Sequence, residues 1–377
     1  MSRKVLFVAT VLRAHVLVFH LPYMKWFQEQ GYEVHLCCAN DTDEPAPVVP
    51  YCDRFMELPF DRSPLSQKNL RAYQQLKRII DTEQYALIHC NTPTGGLVGR
   101  LAARRMRKHG TKVVYTAHGF HFFKGAPLKN NLIYYPVEKW LSRFTDLLIT
   151  INHEDFEAAQ RFHACKTALV SGVGVDLSRF SHPVSRAEVR KKLGIPETSP
   201  LLITVGEHSY RKNHETILRA LEKLPEQTEL LLCGVGDLQQ QLEKLAEALS
   251  IENRVHFLGF RKDIPDLLMA SDVFVFPSRQ EGLPVAQMEA MAAGLPCVVS
   301  NVRGNRDLLS EGDGGYLADP DDVDTFAVRI AELIKDEKLR SRMGMRNRKV
   351  MQRYSLSNVL SEMEALYREQ LGGEKNG

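Results

Sequence analysis

Between residues 4 and 170 the chain alternates short β-branched runs with helical patterns, and no other feature restricts its fold as tightly. Strands are predicted at 4–10 (KVLFVAT), 33–38 (EVHLCC), 86–90 (ALIHC), 112–117 (KVVYTA), 147–151 (LLITI) and 167–170 (TALV). Helical patterns lie between them, for example over 66–83 and 96–109. Strands that alternate with helices pair in parallel and are covered by helices on both faces. The pattern breaks at 171–200, where GVGVDLSRF is a glycine-rich loop and the following segment is polar with three prolines. It restarts with strands predicted at 201–206, 229–234, 254–258, 272–276 and 296–300, and closes on helices at 322–335, 337–352 and 356–371. The expected fold class is α/β, with two tandem Rossmann-like doubly wound domains over 1–180 and 181–350. A C-terminal helix within 351–377 is expected to pack back on the first domain. Such sheets bind ligands at the C-terminal ends of their strands, and two of them facing each other predict a cleft.

Composition narrows the function classes. The seven cysteines have no C-x-x-C and no paired spacing, which argues against a disulfide framework and for a reducing cytosol. The apolar run in MSRKVLFVAT is too short for a signal-peptide core or a membrane span. The net charge of +3 is uneven: residues 1–180 carry 23 Lys/Arg against 16 Asp/Glu, and 91–145 carry ten basic residues and one acid, Glu138. A solvated helix face is one reading of that stretch. An anionic partner is the other: a membrane surface, a phosphorylated substrate or nucleic acid. From Phe120 to Phe144 aromatics are interleaved with Lys and Arg, which suits a membrane interface. RNA stacking and a plain buried helix compete there, and the acidic C-terminal half argues against nucleic acid.

The candidate chemistry gathers at predicted strand ends. RQEGLPVAQMEAMAAGLP (279–296) places Glu281 in a turn and Glu289 in an almost wholly apolar helix, with Pro284 at the first helical position and Gly294 just past the end. Val285, Met288 and Ala292 form one stripe; Glu289 falls within it and Gln287 opposite. An inward Glu289 needs a partner, either a core Arg or Lys or the hydroxyls of a ligand. VGEHSYRKNHETI (205–217) combines a glycine turn at Gly206, a helix start whose N–H groups suit phosphate, and the cations Arg211 and Lys212. CGVGD (233–237) supplies Gly234 and Gly236, and VHFLGFRKD (255–263) supplies Phe260 and Arg261. The second turn is no full G-x-G-x-x-G, which favours a mononucleotide over a dinucleotide. In YTAHGFHFFK (115–124), His118 follows a strand directly, with His121 and Lys124 beyond it. No His/Cys cluster has metal-ligand spacing, so no metal site is expected, and no cofactor.

These motifs resemble the retaining family 4 glycosyltransferases of the two-domain GT-B fold over nearly the whole chain. The resemblance is nearest the EpsD-like exopolysaccharide and capsule branch, through FHLPYMKWF (19–27), IHCNTPTGG (88–96), YTAHGFHFFKGAP (115–127) and IYYPVEKWLSR (133–143). The family's E-x7-E signature matches Glu281 and Glu289, set in EGLP and EAMAAGLP. The resemblance implies metal-independent transfer of a hexose or N-acetylhexosamine from a UDP-sugar, with retention, to a lipid-diphosphate-linked saccharide at the inner face of the cell membrane. It implies that Glu281 meets donor-sugar hydroxyls, Glu289 the ribose and Lys212 the diphosphate. Gly282, Leu283 and Pro284 join the donor loop, and His118, with His121 and Lys124, lies on the acceptor side. Two departures stand out. Glu207 occupies the place of the family's usual Arg, and TVLRAHVL (10–17) replaces a glycine-pair phosphate loop. A nucleotide-sugar epimerase on the same fold and an inactive sugar-nucleotide-binding subunit are the alternative readings.

Overall fold

The computed structural model describes residues 3–372 and divides them into two compact units. The first comprises residues up to 173 together with 359 onward, and the second comprises 174–358. The boundaries therefore shift from the expected 180 and 350, because the glycine-rich loop at 171–176 is where the chain leaves the first sheet. The last residues of the expected 351–377 segment, 373–377, lie outside the described residues.

The first unit is built on a parallel seven-stranded sheet in the order β3-β2-β1-β4-β5-β6-β7. Its strands are β1 (Lys4–Val11), β2 (Glu33–Ala39), β3 (Arg54–Glu57), β4 (Leu87–Asn91), β5 (Lys112–Ala117), β6 (Leu147–Thr150) and β7 (Lys166–Leu169). Residues 5–8 of β1 are fully enclosed, as expected of a central strand flanked by β2 and β4. β3 has no clear signal in the sequence: at the sheet edge, RFME carries charges at both ends and buries little.

The second unit repeats the plan with six parallel strands in the order β10-β9-β8-β11-β12-β13. These are β8 (Leu201–Val205), β9 (Glu229–Cys233), β10 (Val255–Gly259), β11 (Val273–Phe276), β12 (Cys297–Ser300) and β13 (Gly315–Ala318). β13 also escaped the sequence reading, since GYLA sits among glycines and acids with only four residues of apolar pattern. Each sheet reverses its winding once, between β1 and β4 in the first and between β8 and β11 in the second. That reversal opens a crevice at the C-terminal strand ends, where ligands bind in sheets of this kind.

The last helix, Leu356–Gln370, returns the chain to the first unit. Its buried residues Val359, Met363 and Tyr367 join the core around Phe7, Trp26 and Phe27. The Tyr367 hydroxyl lies 2.9 Å from His89 Nδ1, and His89 Nε2 lies 2.8 Å from Thr116 Oγ1, so both ring nitrogens of this fully buried histidine are satisfied. Ser171 closes the return by donating its N–H and hydroxyl to Glu362 at 2.9 and 3.0 Å. Tyr367→Phe removes one partner of an enclosed ring nitrogen and is expected to destabilise the protein by about 1–3 kcal/mol in chemical denaturation. An unchanged midpoint would show that this bond contributes nothing to the docking of the last helix.

Candidate active site

In the second unit the reversal point juxtaposes two loops. One runs from β8 to the helix His214–Glu222, and the other from β11 to the helix Val285–Ala293. Residues 69 apart in sequence meet there: Lys212 Nζ donates to Glu281 Oε1 at 2.8 Å. Arg211 Nη1 donates to the same oxygen at 3.0 Å, and so does the Ser278 hydroxyl. Three donors thus converge on Oε1, while Oε2 takes none of them. Both side chains of the central pair are enclosed, Glu281 at 7% exposure and Lys212 at 11%. Burial pulls the Lys212 pKa down and the Glu281 charge opposes it. The Lys212 ammonium also lies 4.5 Å over the Phe276 ring. Arg303 Nε holds the Glu281 carbonyl at 2.9 Å, which fixes the loop backbone.

The glycine turns interlock at the same edge. The Gly206 N–H donates to Cys233 O, the His208 N–H to Val235 O and the Gly234 N–H to Gly259 O, at 2.9–3.0 Å. A Cβ on Gly234, whose φ is 151°, would fall 1.8 Å from Gly206 O, and one on Gly236 would fall 2.4 Å from His208 O. Larger residues would push the β8, β9 and β10 turns apart. Phe260 beside them is 75% exposed. Arg261 is held by Asp263 through two bonds of 2.7 and 2.5 Å. Leu283 and Pro284 are buried. Gly282 backs onto the helix Arg303–Leu308, where a Cβ on Gly304 would fall 2.3 Å from Gly282 O.

Several expectations are corrected here. Pro284 is the residue before the helix rather than its first position, while Gly294 ends it with φ 84°. The Val285–Met288–Ala292 stripe is not the buried face. Gln287, Met288 and residues 290–293 are buried, and Val285, Ala286 and Glu289 form the least enclosed side. Gln287 is therefore wholly enclosed, and Glu289, though on the less covered side of the helix, is still largely enclosed at 13% side-chain exposure and has the partner that such a carboxylate needs. A helix this apolar has too little amphipathic contrast for its sequence to show which side is open. Glu289 is paired with Arg179, 2.7 Å away on the turn Leu177–Phe180. Burial nonetheless raises the Glu289 pKa above its ordinary value, against the attraction of Arg179. At the other loop, the N–H groups of Lys212 and Asn213 are both taken by Ser209 O. The cationic side chains, rather than those two N–H groups, are what this turn offers an anion.

In the first unit His118 follows β5, but it does not group with His121 and Lys124. Its ring lies 4.7 Å from that of His15 and 5.8 Å from that of His20, centroid to centroid. His121 instead faces Tyr134 at 4.9 Å, and Lys124 is exposed. His15 and His121 both line a 390 Å³ pocket with Arg62, Thr92 and Tyr134, at the ends of β1 and β4. Burial lowers the His118 pKa to about 4 and holds those of His15 and His20 well below the usual range, so all three rings are neutral near pH 7. Besides the residues read from the sequence, the fold gathers the nitrogens of His15, His20 and His118 within 4.8 Å of one another. Sequence spacing missed the group because His118 is distant in the chain. The missed Ser278 had a weak local signal, a hydroxyl three residues before a carboxylate.

Comparison with known proteins places these features in a family. The model described as Glycosyl transferase 4-like matches residues 4–152, and the one described as Glycosyl transferases group 1 matches 185–350. The putative glycosyltransferase EpsD of Bacillus subtilis is 41% identical over 375 residues, covering 97% of each chain. A UDP-Gal:alpha-D-GlcNAc-diphosphoundecaprenol alpha-1,3-galactosyltransferase of Escherichia coli is 28% identical, covering 90% of this chain and 89% of that one. Among solved structures, Anabaena HepE in complex with UDP and glucose superposes with a TM-score of 0.82 at 22% identity, over 97% and 99% of the two chains.

The Glu289–Arg179 pair yields a signed prediction. A carboxyl whose folded pKa is raised loses stability as pH climbs from its unfolded value, near 4.5, through the folded one. Glu289→Gln lacks that penalty, and its stability relative to the wild type is expected to improve between pH 4.5 and 7.5 in urea unfolding. A variant that loses ground over that interval would show that the Arg179 pair outweighs the burial.

Proposed function

Because the chain belongs to the family 4 glycosyltransferases of the GT-B fold, we propose that it moves a hexose or N-acetylhexosamine from a UDP-sugar to a lipid-diphosphate-linked saccharide in exopolysaccharide or capsule synthesis, with retention and without a metal on the leaving group. The observation that carries this reading is the convergence of Lys212, Arg211 and Ser278 on one oxygen of Glu281 at the reversal point of the second sheet. A carboxylate held at Oε1 leaves Oε2 to accept hydrogen bonds from sugar hydroxyls. The cations beside it meet the negative charge that grows on a departing diphosphate. Glu289, on the open side of its helix, is the candidate ribose partner. Binding there exchanges Arg179 for hydroxyl donors.

Given retention, the state of Glu281 discriminates between its two routes. Double displacement requires a free carboxylate at the anomeric carbon. Glu281 already accepts three hydrogen bonds at one oxygen, so its role is to bind rather than attack. That favours a front-face route, in which the leaving phosphate takes the acceptor proton. On the acceptor side the 390 Å³ pocket lined by His121, Arg62 and Tyr134, rather than the confined surroundings of His118, has the room for a saccharide. The name of one relative supports the acceptor class: a galactosyltransferase whose acceptor is a diphosphoundecaprenol-linked sugar.

No helix among the described residues is long and apolar enough to cross a membrane, so a lipid acceptor calls for docking at the surface. The helix Leu128–Leu141 supplies a candidate face. Leu128, Leu132, Ile133, Val137 and Trp140 are exposed along it, and only Leu141 is buried. Lys124 and Lys129 stand exposed at its start and Arg143 just beyond its end. The charge available is smaller than the sequence count implies. Arg100 is wholly enclosed, bonded to Glu138 and stacked on Tyr115, and Arg107 is paired with Asp146.

Two measurements test this reading. Lys212→Ala is expected to lower kcat by about 10²–10³-fold while UDP binding changes far less, because its charge acts on the leaving group. An unchanged kcat would remove Lys212 from the chemistry. The protein is also expected to float with anionic vesicles, each docked cation contributing about 1 kcal/mol, screened by salt. Lys124, Lys129 and Lys139 changed together to Glu, or Leu132 and Ile133 to Ser, should weaken flotation. Equal binding to neutral and anionic vesicles would exclude the electrostatic part.

A further inference from the structure

We propose that His15, His20 and His118 form a binding site for a zinc-class transition-metal cation at the C-terminal edge of the first sheet. Three observations carry it. The candidate ligand nitrogens lie within 4.8 Å of one another. Both ring nitrogens of His20, which is 2% exposed, and Nε2 of His15 are enclosed without a hydrogen-bond partner among the described residues. The cavity beside His20 and His118 is only about 10 Å³, room for an ion or a single water and not for a sugar ring.

The backbone assembles the trio in an unusual way. Residues Leu12–Val16 form a π-turn in which the Leu17 N–H reaches Leu12 O, five residues back. Such turns recur at functional sites. In an ordinary helix, residues five apart diverge around the axis. The wide turn instead leads His15 and His20 to one side, with ring centroids 4.7 Å apart. His118 then closes the group from the end of β5. His89, next to them, is excluded as a ligand because Tyr367 and Thr116 occupy both its nitrogens. Asn91 Oδ1, 3.4 Å from His118 Nε2, is placed to orient that ring from behind, as outer partners of ligating histidines do.

The donor chemistry selects the ion. Three neutral imidazoles and no carboxylate suit Zn²⁺, Co²⁺ or Ni²⁺ and not Mg²⁺, Ca²⁺ or Mn²⁺. Zinc–imidazole bonds of about 2.0–2.1 Å require the ligand atoms to draw inward, and His15 and His118 are half-buried rather than locked in the core as His20 is. Ligation does not depend on what the protein transfers, so it is measurable without a substrate.

The test titrates the full-length, metal-free protein with Co²⁺ alone. One equivalent is expected to bind with the intense visible absorption of four- or five-coordinate cobalt, and Zn²⁺ should displace it. His20→Gln and His15→Gln should each abolish that absorption and weaken binding by more than the roughly 10–100-fold typical of a lost outer-shell partner. His15 lies in the turn rather than the core, so its variant keeps the test decisive if His20→Gln does not fold. Absence of stoichiometric binding to the wild type, absorption that survives in a folded variant, or a thiolate charge-transfer band pointing to a cysteine would each overturn the assignment.

Discussion

In a parallel sheet every strand delivers the chain to the same edge. That constraint positions everything functional in this protein. The glycine turns after β8, β9 and β10 and the Glu281 loop after β11 belong to four separate crossovers, yet all must emerge side by side. Hydrogen bonding then locks the turns to one another, through the Gly206, His208 and Gly234 N–H groups. The reversal of winding between β8 and β11 keeps a helix from covering their junction. An enclosed Lys212–Glu281 pair forms there rather than more core. The first sheet obeys the same rule, and its reversal lies between the strands that lead into His15 and Thr92.

The charges at the second junction are unequal in kind. Glu281 and Lys212 are nearly buried, and burying either alone would cost several kcal/mol. Their pairing, with Arg211 and Ser278, offsets that cost but commits only one carboxylate oxygen. Glu289 is the converse case. Its single partner, Arg179, is 43% exposed, and burial prevails over the attraction. One acid is therefore firmly held by converging donors, and the other is held by a single, partly exposed partner.

The alternation of strands and helices made the architecture legible, because central strands such as LLITV and ELLLC are apolar throughout and bounded by turns. The edge strands were not legible. RFME and GYLA pair on one side only, so they need little apolar pattern. At the site, Gly206, Lys212, Glu281 and Glu289 could be named because each stands in a local motif at a strand end. Their orientation could not. The helix Val285–Ala293 is apolar on every side, so the direction of Glu289 and Gln287 was set by what packs around it, not by its own period. Arg100 shows the same limit from the charged side: a basic run in sequence contains an arginine wholly inside the fold, held by Glu138 from 38 residues away.

The histidines of the first unit lie at the far end of that scale. His15 and His20 are five residues apart, a spacing that predicts nothing in a regular helix, and His118 follows a different strand. Only the π-turn and the shared sheet edge make them one group. Three enclosed nitrogens without partners among the described residues would each cost about 1–3 kcal/mol if left so, a cost that a bound ion would relieve. Apolar residues at 15 and 20 would fill the same space at no such cost. Imidazoles in that position, beside a cavity of about 10 Å³, are what connects this edge of the first sheet to an ion rather than to a ring-sized ligand.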